Sequence, residues 1–219
     1  MKIFSEAGKK KVFVGAIDWP GLCRSGKNEE AAISELRDCG MRYAKLLRAT
    51  SLNFQIPKTT SDFSISERHA GNATTDFGAP SIMLDADKEP INNRELERFQ
   101  KILLACWQKF DEVAEEAKGK ELRKGPRGGG RDLEKILTHV HEVNLVYAQR
   151  LAWKGRNYSV SEMSQAWQDI MRSFETAVQQ GLPEKGPRGG EIWKPRYFVR
   201  RIAWHVLDHA WEIEDRMMS

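Results

Sequence analysis

Apolar and polar residues interleave over short distances early in the chain and recur every three or four positions later in it. Lys11 to Ile17 (KVFVGAI) has the β-branched and aromatic content of a strand. Asp18-Trp19-Pro20-Gly21 ends it, because Pro fixes φ and Gly accepts positive φ. Asn28 to Leu47 predicts a helix: Asn28 can cap it, Glu29 and Glu30 suit its positive end, and Ile33, Leu36, Met41, Tyr43 and Leu47 supply apolar positions. Phe54-Gln55-Ile56 and Phe63-Ser64-Ile65-Ser66 predict two further short strands. Residues 70–92, rich in Gly, Asn, Thr and Asp, read as an ordered loop or linker.

Beyond residue 90 the period becomes helical. Asn93 to Lys118 carries Leu96, Phe99, Leu103, Phe110 and Val113; Arg131 to Trp153 carries Leu133, Ile136, Val140, Val143, Tyr147 and Leu151. Ser161 to Gln180, with Ser161 as its cap, carries Met163, Trp167, Ile170, Phe174 and Val178. Pro195 to Met217, with Pro195 in the first turn, carries Phe198, Ile202, Val206 and Ile213. Four amphipathic segments of about 20 residues predict a four-helix bundle. The expected fold is thus an α+β N-terminal region over 1–90 with its trailing loop, followed by an all-α four-helix bundle over 91–219.

Composition narrows the partners. The 219 residues include 35 Lys and Arg against 31 Asp and Glu, a net charge of +4. The two signs alternate, as in Arg94-Glu95-Leu96-Glu97-Arg98, which describes a mixed solvated surface rather than a face for nucleic acid. The longest apolar run, Ile102 to Trp107, falls far short of the roughly 20 residues that cross a membrane. MKIFSEAGKKK lacks the apolar core of a signal peptide, so a cytoplasmic location without membrane contact is expected. Three scattered cysteines, Cys23, Cys39 and Cys106, argue against a disulfide framework and a thiolate zinc site. A metal would have to be held by His and carboxylates.

The histidines carry the main chemical signal. His205 and His209, spaced i and i+4, project from one helix face one turn apart, and neutral imidazole is a common ligand for divalent metals. A catalytic zinc commonly has three protein ligands and an open position, so the third must come from another helix. His139 and His141 both lie near the middle of the second long helix, on opposite flanks of its apolar stripe, and spacing alone does not choose between them. Asp208 and Glu212, within a turn of His209, are candidates to orient a ligand or act as a base. His205-Val206-Leu207-Asp208-His209 lacks the Glu of the zinc-protease motif.

Lys124-Gly125-Pro126-Arg127-Gly128-Gly129 recurs as Lys185-Gly186-Pro187-Arg188-Gly189-Gly190, each copy just before a His-bearing helix. Neither copy fits a phosphate-loop or dinucleotide fingerprint; both read as helix connections, with Arg127 and Arg188 as candidates to hold an anionic ligand. Asp76-Phe77-Gly78 lacks every companion of the kinase metal loop. Trp204 and Trp211, seven apart, form a stripe that predicts either a homodimer surface or a contact with the N-terminal region.

Ile136-Leu137-Thr138-His139-Val140 and Arg201-Ile202-Ala203-Trp204-His205-Val206-Leu207-Asp208-His209 together resemble the DinB/YfiT-like superfamily of four-helix-bundle metalloproteins. The resemblance covers roughly 93–217. It implies a divalent metal, zinc or nickel, on His139, His205 and His209, with His141 the weaker alternative. It also implies an enzyme acting on a small molecule, either an S-transferase or isomerase that uses a low-molecular-weight thiol, or a hydrolase. That family has a long crossover between its second and third helices, and the connection here, about Lys154 to Val160, is shorter. The stretch Asp18 to Ala31 (DWPGLCRSGKNEEA) resembles HicB-like antitoxin domains, which implies a fold for that region rather than a toxin–antitoxin role. The alternative to an enzyme is a non-enzymatic protein-interaction module with a structural metal or none.

Overall fold

The computed structural model describes residues 1–124, 130–186 and 189–218. A four-stranded sheet, ordered β3-β2-β1-β4, is built from β1 (Lys2–Ala7), β2 (Val12–Ala16), β3 (Cys23–Gly26) and β4 (Ser64–Ala70). β1 pairs antiparallel with β2, β2 antiparallel with β3, and β1 parallel with β4. Helix α1 (Glu29–Leu47) makes the crossover between the two sheet edges, and Asn28 caps it by accepting from the Ala31 backbone N–H at 2.8 Å. The fold class is α+β: a small mixed sheet followed by helices.

Both faces of the sheet are covered. Ile3, Val14 and Ala16 join one core with Ala32, Leu36 and Tyr43 of α1. Phe4, Phe13 and Cys23 face Leu84 and Trp204, and Phe13 meets the Trp204 indole edge-on with centroids 6.1 Å apart. Gly15 permits this packing, since a Cβ there would lie 2.5 Å from the Phe4 ring. Covering both faces explains why β1 escapes the sequence pattern: Ile3, Phe4, Ser5 and Glu6 are all buried, so nothing alternates. The Glu6 carboxylate is held inside by the Thr75 hydroxyl at 2.5 Å and by the backbone N–H groups of Ser81 and Ile82 at 2.9 and 3.1 Å.

Several expected elements differ. Residues 54–56 form no strand; Phe54 instead plugs an aromatic cluster, with its ring 4.9 Å from Trp19 and 5.1 Å from Tyr43. Met41 is exposed rather than apolar core. Residues 70–92 contain a helix, α2 (Ala73–Phe77), capped by Asn72, and a 3₁₀ turn at Ala86–Lys88.

Four long helices follow: α3 (Asn93–Glu116), α4 (Leu133–Gln149), α5 (Met163–Gln180) and α6 (Pro195–Arg216). Pro195 occupies the first turn of α6, as expected. Ser161 does not cap α5; a 3₁₀ turn at Val160–Glu162 precedes it, and there the Ser159 N–H donates to the Glu162 carboxylate at 3.0 Å. α3 packs on α6 and α5, and α4 likewise packs on α6 and α5, so α3 and α4 face each other across the group. α5 also touches α6, and 150–162 joins the neighbours α4 and α5.

The sheet and the helices share one core, in which Ile3, Leu36 and Tyr43 join Leu103, Phe110, Phe198, Ile202 and Ile213. The segment between them is fastened to α6 by charge. Arg200 pairs with Asp87 while both side chains are 5% exposed, and Arg201 donates to the Pro80 carbonyl. The tryptophan stripe is consumed in the same joint: Trp204 lies against Phe13, and the Trp211 ring is covered by the Arg24 guanidinium at 4.0 Å and that of Arg42 at 5.2 Å. Among the described residues no helix is long and apolar enough to cross a membrane.

Candidate metal centre

The face that α6 turns toward α4 decides the site. Phe198, Ile202, Val206 and Ile213 are fully buried, so the helix is rotationally fixed, and the i, i+4 pair on its flank is carried inward with them. His205 is 5% and His209 8% exposed. α4 delivers His139, seventh residue of that helix, to the same depth, and His139 is only half-buried, leaving it the most accessible of the three.

The three rings converge pairwise. Their centroids lie 5.1 Å apart for His139–His205, 5.0 Å for His139–His209 and 4.8 Å for His205–His209. The Nε2 atoms of His139 and His205 are 3.2 Å apart. Two imidazoles at tetrahedral angles on a zinc-sized ion, about 2.0–2.1 Å from it, have nitrogens ~3.3 Å apart, so this pair already has the spacing of co-ligands. One donor nitrogen from each of the three lies within 4.8 Å of the others. The donor set therefore fits a divalent cation of borderline softness with a fourth position open.

Burial favours the neutral form of two of these ligands, His139 and His205. Burial, together with His209 and Arg131, pushes the His139 imidazole down to about 4. Burial, reinforced by His209 and His139, holds His205 well below the ordinary imidazole range. Only the neutral form offers a lone pair to a metal, so these two imidazoles are ready to ligate at neutral pH.

The surrounding residues separate the candidates. Glu212 accepts from His209 Nδ1 at 2.7 Å, leaving Nε2 to face the cluster, the carboxylate–histidine arrangement that fixes a ligand's tautomer. Burial works to raise the Glu212 carboxyl, but its bonds to His209 and Arg216 override that and hold it below the ordinary value. Asp208, about half exposed, lines a recess of about 460 Å³ that Glu212 also borders, with Arg24, Cys39, Arg42 and Trp211 and with Arg24 Nη1 at 3.7 Å. His141 is buried apart from the cluster, its Nε2 bonded to the Tyr158 carbonyl oxygen at 2.7 Å. Arg127 and Arg188 lie outside the described residues.

Three further residues frame the site without a local sequence signal. The Tyr147 ring lies edge-on to His205, with centroids 5.8 Å apart, and its hydroxyl accepts from buried Arg201 at 2.8 Å. Arg131 contributes positive charge at the lip, and Arg216 braces Glu212. A tyrosine two turns after His139 and an arginine one turn after Glu212 were the only spacing clues.

No match to this chain is found among protein-family models, curated proteins or solved structures. The chain's own thiols are poor nucleophiles: all three cysteines are buried, and burial pushes the Cys23 thiol up to about 12 and raises Cys39 and Cys106.

Proposed function

We propose that His139, His205 and His209 bind a divalent metal, zinc or nickel, and that the protein is a DinB-like four-helix-bundle enzyme acting on a small molecule. The observation that supports this reading best is the convergence of three inward imidazoles from two helices, with donor atoms within 4.8 Å. A cation held there supplies Lewis-acid polarisation and lowers the pKa of a bound thiol or water. The chain's part is to keep His139 and His205 neutral by burial, to orient His209 through Glu212, and to leave the half-buried His139 side accessible. Because its own cysteines are buried and protonated, a thiol-dependent transfer would draw its thiol from a low-molecular-weight cofactor, and hydrolysis at the same centre is the companion reading.

Metal analysis of the full-length protein after supply of zinc or nickel tests the proposal. Near-stoichiometric metal, lost in the His205→Ala/His209→Ala double variant, is the expected result. Clearly substoichiometric metal in the wild type, or undiminished binding by the double variant, would overturn it.

A further inference from the structure

Of the three histidines, His209 is the one whose second nitrogen meets a carboxylate among the described residues; His205 Nδ1 is buried there with no partner. Support for the site from beyond its ligands therefore runs through Glu212, and Glu212 is itself held. Arg216, one turn further along α6, donates Nη1 to Glu212 Oε1, and its side chain is 15% exposed. The rest of the guanidinium is turned toward a different part of the chain. Nε donates to the Arg123 carbonyl at 2.9 Å and Nη2 to the Arg131 carbonyl at 2.8 Å.

Arg123 and Arg131 flank the first KGPRGG copy, Lys124 to Gly129. The backbone seals the first of these junctions: Arg123 N–H donates to the Arg216 carbonyl at 2.7 Å, and Leu122 forms an antiparallel bridge with Met217. Gly130 completes the seat. Its φ is +136°, and a Cβ there would lie 2.6 Å from Arg216 Nη2, so only glycine lets the chain pass this close to the guanidinium. One planar, three-way donor thus joins a ligand-orienting carboxylate to both ends of a basic, glycine-rich segment. A lysine ammonium has no such spread of donors.

Resting on the metal reading above, we propose that Arg216 is a positioning residue that couples the tri-histidine centre to the backbone at Arg123 and Arg131. Metal on His209 strengthens the hold of Glu212, which fixes Arg216 on the Arg123 and Arg131 carbonyls. By reciprocity, anything that strengthens the hold of Arg216 on the Arg123 and Arg131 carbonyls tightens metal binding by the same factor.

The test uses the full-length chain and metal alone. Cobalt(II) affinity, read by competition with a chromophoric chelator, and the cobalt absorption spectrum are compared for wild type, Arg216→Met, Arg216→Lys, Glu212→Gln and the Glu212→Gln/Arg216→Met double variant. Arg216→Met and Glu212→Gln are each expected to lose about 10–100-fold in affinity with an altered spectrum. Arg216→Lys recovers little of the loss. The double variant is no weaker than the weaker single, because the two residues act in series. Zinc is expected to slow tryptic cleavage after Arg123 and after Arg131 in the wild type and to have no such effect in Arg216→Met. Should Arg216→Met fail to fold by circular dichroism, Glu212→Gln carries the same test, since it cuts the path on the other side of Arg216. Wild-type affinity with an unchanged zinc effect on cleavage in folded Arg216→Met overturns the coupling while leaving the metal site standing. Absence of metal binding by the wild type overturns both.

Discussion

Asp87→Ala should be among the most damaging single substitutions in this protein, although Asp87 touches no candidate ligand. Arg200 Nε bonds to its Oδ1 at 3.2 Å and Nη2 to its Oδ2, and both side chains are 5% exposed. The same Oδ2 accepts from the Leu84 N–H at 2.8 Å. With the carboxylate gone, Arg200 keeps the Ile82 carbonyl at 2.8 Å and its position over the Phe4 ring at 4.8 Å, but among the described residues Nη1 already lacks a partner. Breaking a buried pair from one side costs about 3–5 kcal/mol, against a total stability on the order of 5–15 kcal/mol. For a chain of this size that is a fall in Tm of roughly 6–20 °C. Chemical denaturation of wild type, Asp87→Ala and the Asp87→Leu/Arg200→Met double variant measures it. The double variant should be less destabilised than the single, because it removes the buried charge together with its partner. A cost below about 1 kcal/mol for Asp87→Ala, or a double variant worse than the single, would refute the argument that an uncompensated buried charge dominates.

Three shorter predictions follow from other joints. With metal stripped by chelator, stability should be full above the unfolded imidazole value of about 6.5 and should decline as pH falls toward the folded value of about 4 for His139, because the unfolded chain takes up the proton first. Melting across that range should show the loss, a His139→Asn variant should show less of it, and bound metal should move the decline to lower pH. Gly21→Ala forces a side chain onto φ +94° with its Cβ 2.7 Å from Leu207 Cδ1, and should cost about 1–3 kcal/mol in equilibrium unfolding. Glu6→Ala strands the Thr75 hydroxyl and the Ser81 and Ile82 N–H groups inside the protein; a loss of at least about 2 kcal/mol is expected, and faster hydrogen exchange confined to residues 72–88 would locate it.

How far the sequence reaches is visible at single residues. The four long helices announce themselves because each buries one stripe against neighbours, so Leu96, Phe99, Ile170, Phe198 and Ile202 repeat at the period their geometry requires. β1 does not, because α1 covers one of its faces and Leu84 and Trp204 the other, and its buried Glu6 is satisfied by residues about 70 positions away. The same distinction governs the site. His205 and His209 are legible as a pair because one helix sets their geometry, and Glu212, three residues on, shares it. The choice between His139 and His141 is not local. At about 100° per residue the two point some 200° apart on α4, and both flanks are compatible with the stripe of Ile136 and Val140. What decides is which flank meets α6, and that follows from the diagonal placement of α3 and α4 and from the Tyr158 carbonyl, supplied by the 150–162 connection, which occupies His141. A ligand set drawn from two helices becomes readable only once the partner of every other nearby polar group is known. The histidine left without a backbone partner, His139, is the one free to face the pair on α6.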